Sequence, residues 1–128
     1  MSVDYRVPAQ THIGHVHLKV SDLERSITFY RDVIGFDVVV RYGAQAAFLS
    51  AGGYHHHIGL NTWAGVGAPP PPPGAIGLKH FEVTLPGSAA REAVVSRLSA
   101  AGVVPEPVDG GLLIRDPARN AILLTTLG

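Results

Sequence analysis

Seven histidines occur in this 128-residue chain, and six of them fall between His12 and His57. Histidine is the commonest metal ligand among side chains and titrates near neutrality, so the excess points to metal binding or acid–base chemistry. His15 and His17 stand two apart, His55, His56 and His57 are consecutive, and His80 stands two before Glu82. Side chains two apart on a strand share a face, which makes His15 with His17, and His80 with Glu82, two same-facing polar pairs. With no cysteine in the chain, thiolate ligands, cysteine nucleophiles and disulfides are excluded.

The elements that must position these residues are written twice. Residues 13–20 alternate strictly, with Val16, Leu18 and Val20 on one face and His15, His17 and Lys19 on the other. This period of two predicts a half-buried strand. Ser21-Asp22-Leu23-Glu24 reads as a capping box with Ser21 at the N-cap. Leu23, Ile27, Tyr30 and Ile34 then recur at helical spacing, and Gly35 supplies the stop. Strand-like runs follow at 36–42, 45–50 and 54–62, the last after Gly52-Gly53.

Residues 63–77 include five consecutive prolines, 69–73, and predict a stiff, extended connector. The order then returns: a strand over 78–85, a helix from Ser88 to about Ala101 with Gly102 as its stop, and strands at 103–108, 112–115 and 121–127. His15 and His80 are 65 apart and Gly35 and Gly102 are 67 apart, so the chain reads as a tandem duplication of βαβββ units. One domain is expected, with module one at 12–62, the connector at 63–77 and module two at 78–128.

Ten basic residues balance ten acidic ones, which gives no electrostatic footprint for nucleic acid or an anionic membrane. No apolar run approaches the length of about 20 residues that a membrane span needs. No signal peptide is visible, so a soluble cytoplasmic protein is expected.

The stretches HVHLKVSDLERSITFYRDVIGF, QAAFLSAGGYHHHIGLNTW, GLKHFEV and RDPARNAILL together resemble the vicinal oxygen chelate superfamily. That superfamily includes glyoxalase I, bleomycin-resistance proteins, fosfomycin-resistance enzymes and extradiol dioxygenases. The first half is especially similar to small catechol-2,3-dioxygenase-type members. The resemblance implies an α+β fold in which two βαβββ modules form a cleft-shaped mixed sheet with helices outside. It further implies that His15 and His80 point into the cleft, and that the protein is a homodimer acting on or binding a small molecule.

Metal-binding members commonly use a histidine on the first strand of each module and a glutamate in a DPxGNxIEL-like stretch near the end. His15 and His80 match the first two positions. At the third the chain reads Asp116-Pro117-Ala118-Arg119-Asn120-Ala121-Ile122-Leu123-Leu124, so a leucine stands where the carboxylate is expected. Two readings follow. In one, His15, His17, His80 and Glu82 rebuild a site for iron, zinc, manganese or nickel, and the protein is a metal-assisted enzyme acting on vicinal oxygens, catechol- or dicarbonyl-like. In the other, metal is lost and the cleft sequesters a ligand, as in bleomycin-resistance proteins.

Alternation over 54–60 assigns His56 to the apolar face with Tyr54, Ile58 and Leu60. The same alternation leaves His55 and His57 lining the cleft as acid–base candidates. Tyr42, Phe48, Tyr54 and Trp63 are candidates for stacking on an aromatic ligand. Lys19 and Arg41 are either counter-ions for an anionic ligand or solvated surface charges.

Overall fold

The computed structural model describes residues 8–9 and 15–127; the start of module one and of its first strand, His12 to Gly14, lies outside them, as does Gly128. In β1 (Val16–Lys19), Leu18 is buried and His17 and Lys19 are exposed, as the alternation requires. The chain then enters α1 (Leu23–Thr28). Its N-cap is Asp22 rather than Ser21: Asp22 has extended backbone and its carboxylate accepts from the Arg25 N–H at 3.1 Å. A carboxylate at this position also complements the positive end of the helix dipole.

From Phe29 to Ile34 the helix widens into π geometry. The wider turn carries the adjacent rings of Phe29 and Tyr30 into the same core, perpendicular to one another at 5.1 Å. Gly35 ends it in the left-handed region at φ 108°, and both Gly35 and Phe36 donate their N–H groups back to the Tyr30 carbonyl.

β2 (Asp37–Tyr42), β3 (Ala46–Ser50) and β4 (Ile58–Asn61) complete the first sheet, in the order β1-β4-β3-β2, with β1 and β4 parallel and the other pairs antiparallel. The third run of module one is therefore much shorter than its apolar pattern suggested. Gly52 and Gly53 adopt positive φ, and the His57 N–H returns to the Leu49 carbonyl at 2.8 Å, which makes 51–57 a closed loop rather than strand.

Module two repeats the plan with β5 (Phe81–Leu85), α2 (Ser88–Ala100), β6 (Glu106–Val108), β7 (Gly111–Arg115) and β8 (Ala121–Thr126), in the sheet order β5-β8-β7-β6. Gly87, not Ser88, is the N-cap of α2. β6 shrinks to three residues because Pro105 and Pro107 have no N–H to give; Pro107 is tolerated there because the strand is an edge. β5 begins at Phe81, where pairing with Ile122 starts, and leaves His80 in front of the strand.

Each helix packs on its own sheet, and α2 meets the π segment of the first helix. One apolar core results, built from Leu18, Ile27, Tyr30, Leu49, Leu98 and Ile122 among others from both modules. Arg97 of α2 strengthens the junction by donating to the carbonyls of Val33 (3.0 Å) and Ile34 (3.3 Å), which the end of the first helix leaves without intrahelical partners. Connector residues 69–77 are exposed, and those up to Pro72 form no helix or strand. Among the described residues no helix is long and apolar enough to cross a membrane.

Candidate functional site

His15 stands immediately before β1 and His17 lies within it, and the loop before β4 places His56 against both. The rings of His15 and His17 lie 4.6 Å apart, His15 and His56 4.4 Å, and His17 and His56 5.8 Å. One nitrogen from each lies within 4.8 Å of the other two. Ligands around a tetrahedral ion sit about 3.4 Å from one another at ordinary metal–nitrogen lengths, so the three nitrogens would have to draw closer to share one ion.

The surroundings fit an ion. His56 Nε2 is buried and has no hydrogen-bond partner, and leaving a buried nitrogen unsatisfied costs about 1–3 kcal/mol. The His56 imidazole is held below the ordinary histidine pKa, first by burial and then by the neighbouring charges of His15, His55 and His17. A neutral imidazole is the form that binds metal. Phe48 packs on His56 at 4.8 Å and meets His17 at 6.0 Å.

Strand register explains this geometry. His17 and Phe48 both pair with Gly59, one from each side. A Cβ added at Gly59 would stand 3.0 Å from His17 Cδ2 and 3.1 Å from Phe48 Cε1, so the two rings close over a position that has no side chain.

The structure thus brings together His15 and His17 from the expected ligand set and adds His56, which the alternation had assigned to the apolar face. The reason is the late start of β4 at Ile58: loop residues 51–57 do not alternate, and the face of each histidine is set by loop closure. His80 and Glu82 are exposed and lie outside the cluster. Glu82 pairs in register with Leu123, the leucine at the expected carboxylate position, which is buried.

His55 packs on Tyr54 at 4.2 Å and stands edge-on to His56 at 4.8 Å. His57 stacks on Tyr54 at 4.3 Å, and its Nδ1 accepts from the Ala51 N–H at 3.1 Å. With Nδ1 accepting, the ring proton of neutral His57 sits on Nε2. Arg41 is paired with Glu24, Lys19 is exposed, and Trp63 is exposed at the start of the connector.

A cavity of about 660 Å³ adjoins the cluster where β1 and β4 face β5. Its polar side chains are His15, His57, Glu82 and Thr84, and its walls include Ile34, Phe36, Phe81 and Val83. His15 therefore borders both the three-histidine cluster and the cavity. The volume is that of an ordinary small-molecule site, mostly apolar with a few convergent polar groups.

Comparison with known proteins places this geometry in context. The family model described as the Glyoxalase/Bleomycin resistance protein/Dioxygenase superfamily matches residues 12–124. The chain is 48% identical over 118 residues to a catechol-2,3-dioxygenase of Bacillus subtilis (strain 168), an alignment covering 91% of this chain and 41% of that protein. The chain thus spans about two-fifths of that relative's length. A lactoylglutathione lyase from Agrobacterium tumefaciens superposes with a TM-score of 0.69 at 25% identity, covering 93% of this chain and 96% of the other. TnmS3, an antibiotic binding protein from Streptomyces sp. CB03234, superposes with a TM-score of 0.66 at 25% identity, covering 95% and 100%.

Proposed function

From the chain's place in the glyoxalase/bleomycin resistance protein/dioxygenase superfamily, to which it belongs, we propose that it is a metal-assisted enzyme acting on a small substrate with two neighbouring oxygens. The observation that carries this reading is the convergence of His15, His17 and His56, with the buried His56 Nε2 lacking a partner. These three residues would hold a divalent iron, zinc, manganese or nickel ion. Such an ion supplies Lewis acidity toward two adjacent oxygens.

The chain's own residues do the rest. The adjoining cavity receives a planar catechol- or dicarbonyl-like molecule against Phe36, Phe81 and Val83, whose apolar surfaces exclude water. His15, on the border, sets the distance between that molecule and the cluster. His57 lines the cavity with its proton on Nε2 and is the proposed acid–base residue, held in that tautomer by the Ala51 N–H. His55, outside the cavity lining, packs on Tyr54 and His56 instead. Glu82, on the β5 wall, is the proton acceptor, with His57 donating through Nε2.

The test is turnover of catechols, with oxygen uptake followed directly, and of dicarbonyl–thiol adducts, by protein reconstituted with each candidate metal. Turnover abolished in His15→Ala with the fold intact supports the reading. A second reading, sequestration of an aromatic molecule without metal, is favoured by Leu123 and by the likeness to an antibiotic binding protein. Tight aromatic binding by metal-free protein, with no turnover under any metal, would establish that reading in place of the first.

A further inference from the structure

A second cavity, of about 620 Å³, lies between α1, the residues following α2 and the end of β7, and shares no residue with the first. Three arginines line it: Arg25 from α1, Arg115 from the end of β7 and Arg119 from the loop before β8. Its floor is apolar, with Phe29 and Ile114 buried and Val33 and Leu113 half-buried. The acidic residues in the lining are Glu106 and Asp116.

Asp116 is already committed. Its Oδ1 accepts from the Ala118 and Asn120 N–H groups, and its Oδ2 from the Tyr30 hydroxyl and Asn120 Nδ2. Among the described residues the ion pairs are Arg31 with Asp32 and Arg41 with Glu24, so none of the three cavity arginines is in one. Arg115 spends one N–H on the Arg119 carbonyl at 3.0 Å, which leaves most of its donor fork unused. Arg119 stands at φ 73°, a left-handed conformation that glycine enters freely and arginine enters at a cost. The family pattern has glycine at this place, so the chain holds an arginine at the cavity mouth against its backbone preference.

We propose that this cavity binds a small carboxylate with an aromatic body. The arginine forks suit bidentate capture of the carboxylate, and the Phe29–Val33–Leu113 floor suits a flat apolar ring. Glu106 on the same wall disfavours a multiply charged anion by like-charge repulsion. The volume holds a two-ring ligand with room to spare.

The experiment is calorimetric titration of the full chain with 1-naphthoate, against the neutral 1-naphthamide and inorganic phosphate. One saturable naphthoate site is expected, weakened by ~10-fold or more in Arg119→Gln and in Arg115→Gln, as loss of a charge-assisted pair implies. Glutamine makes the same demand on the left-handed backbone as arginine, and Arg25→Gln on the helix surface provides a variant remote from the loop. Metal content and thermal midpoint are expected to stay unchanged in all three, and naphthoate binding to stay unchanged in His15→Ala. The proposal is overturned by naphthoate affinity that survives the arginine substitutions, by naphthamide binding as tightly, by phosphate competing as well, by loss of binding in His15→Ala instead, or by no saturable binding.

Discussion

The Tyr30 hydroxyl donates to the Asp116 carboxylate at 2.7 Å, joining side chains 86 residues apart that are both buried. The same carboxylate collects two backbone N–H groups of its own loop and the Asn120 side chain, whose Nδ2 also reaches the Lys19 carbonyl at the end of β1 at 3.2 Å. One carboxylate therefore orders the loop before β8 and ties module two to the helix and first strand of module one. This junction joins the shared apolar core and the Arg97 bonds in holding the two modules together.

Tyr30→Phe removes that donor and keeps the ring. Stability to urea is expected to fall by about 1–2 kcal/mol, since a buried carboxylate oxygen loses one of its two donors in a tight junction. Burial first, and then the Asp116 charge and hydrogen bond, raise the Tyr30 pKa well above its ordinary value. The folded state thus favours the protonated phenol. That stabilisation is complete below about pH 10, the unfolded value, and is lost as pH rises toward the folded one. Urea midpoints of the parent protein are expected to drop above pH 10, and Tyr30→Phe to show a smaller drop.

Arg119→Gly relieves the left-handed strain at φ 73° while keeping the carbonyl that Arg115 bonds. A net gain of about 0.5–1 kcal/mol is expected, the relief of strain exceeding glycine's extra unfolded-state entropy. Equilibrium unfolding measures it directly; a loss of stability would show that the arginine side chain itself supports the loop.

Gly59→Ala inserts a methyl group where His17 Cδ2 and Phe48 Cε1 leave 3.0 and 3.1 Å. The rings must move by a few tenths of an ångström, at a cost of about 1 kcal/mol in stability. Metal affinity is expected to fall several-fold because His17 leaves its position opposite His56, and titration with cobalt, read from its absorption bands, follows this.

The duplication, the strand faces and the helix stripe were legible because each is written as a local period: Leu18 and Val20 against His17 and Lys19, and Leu23, Ile27, Tyr30 and Ile34 along the first helix. His15 and His17 followed from the same alternation. His56 was not legible, because the alternation was carried through residues 54–57, where the chain is a closed loop. The Gly52-Gly53 pair was the local signal that the strand begins later. The replacement of Ser21 by Asp22 as cap was a choice between two adjacent capping residues, decided by which one is extended. The Arg97 and Asp116 junctions depend on how the modules dock, which no local period encodes.

Leu123→Glu restores a carboxylate at the position where the family pattern has one. In this chain Leu123 is buried and pairs in register with Glu82, so the new side chain meets a like charge across the strands. A stability loss of about 2–3 kcal/mol is expected at neutral pH, with no gain in metal content, because the three histidines lie in module one. Elemental analysis and urea unfolding of the variant check both halves.

The most direct measurement of the central claim is metal per chain in untagged protein purified without chelators, compared among the parent, His56→Ala and His80→Ala. About one transition-metal ion per chain is expected in the parent and in His80→Ala, with loss in His56→Ala while its circular dichroism is unchanged. Metal retained in His56→Ala and lost in His80→Ala would contradict a centre built within module one.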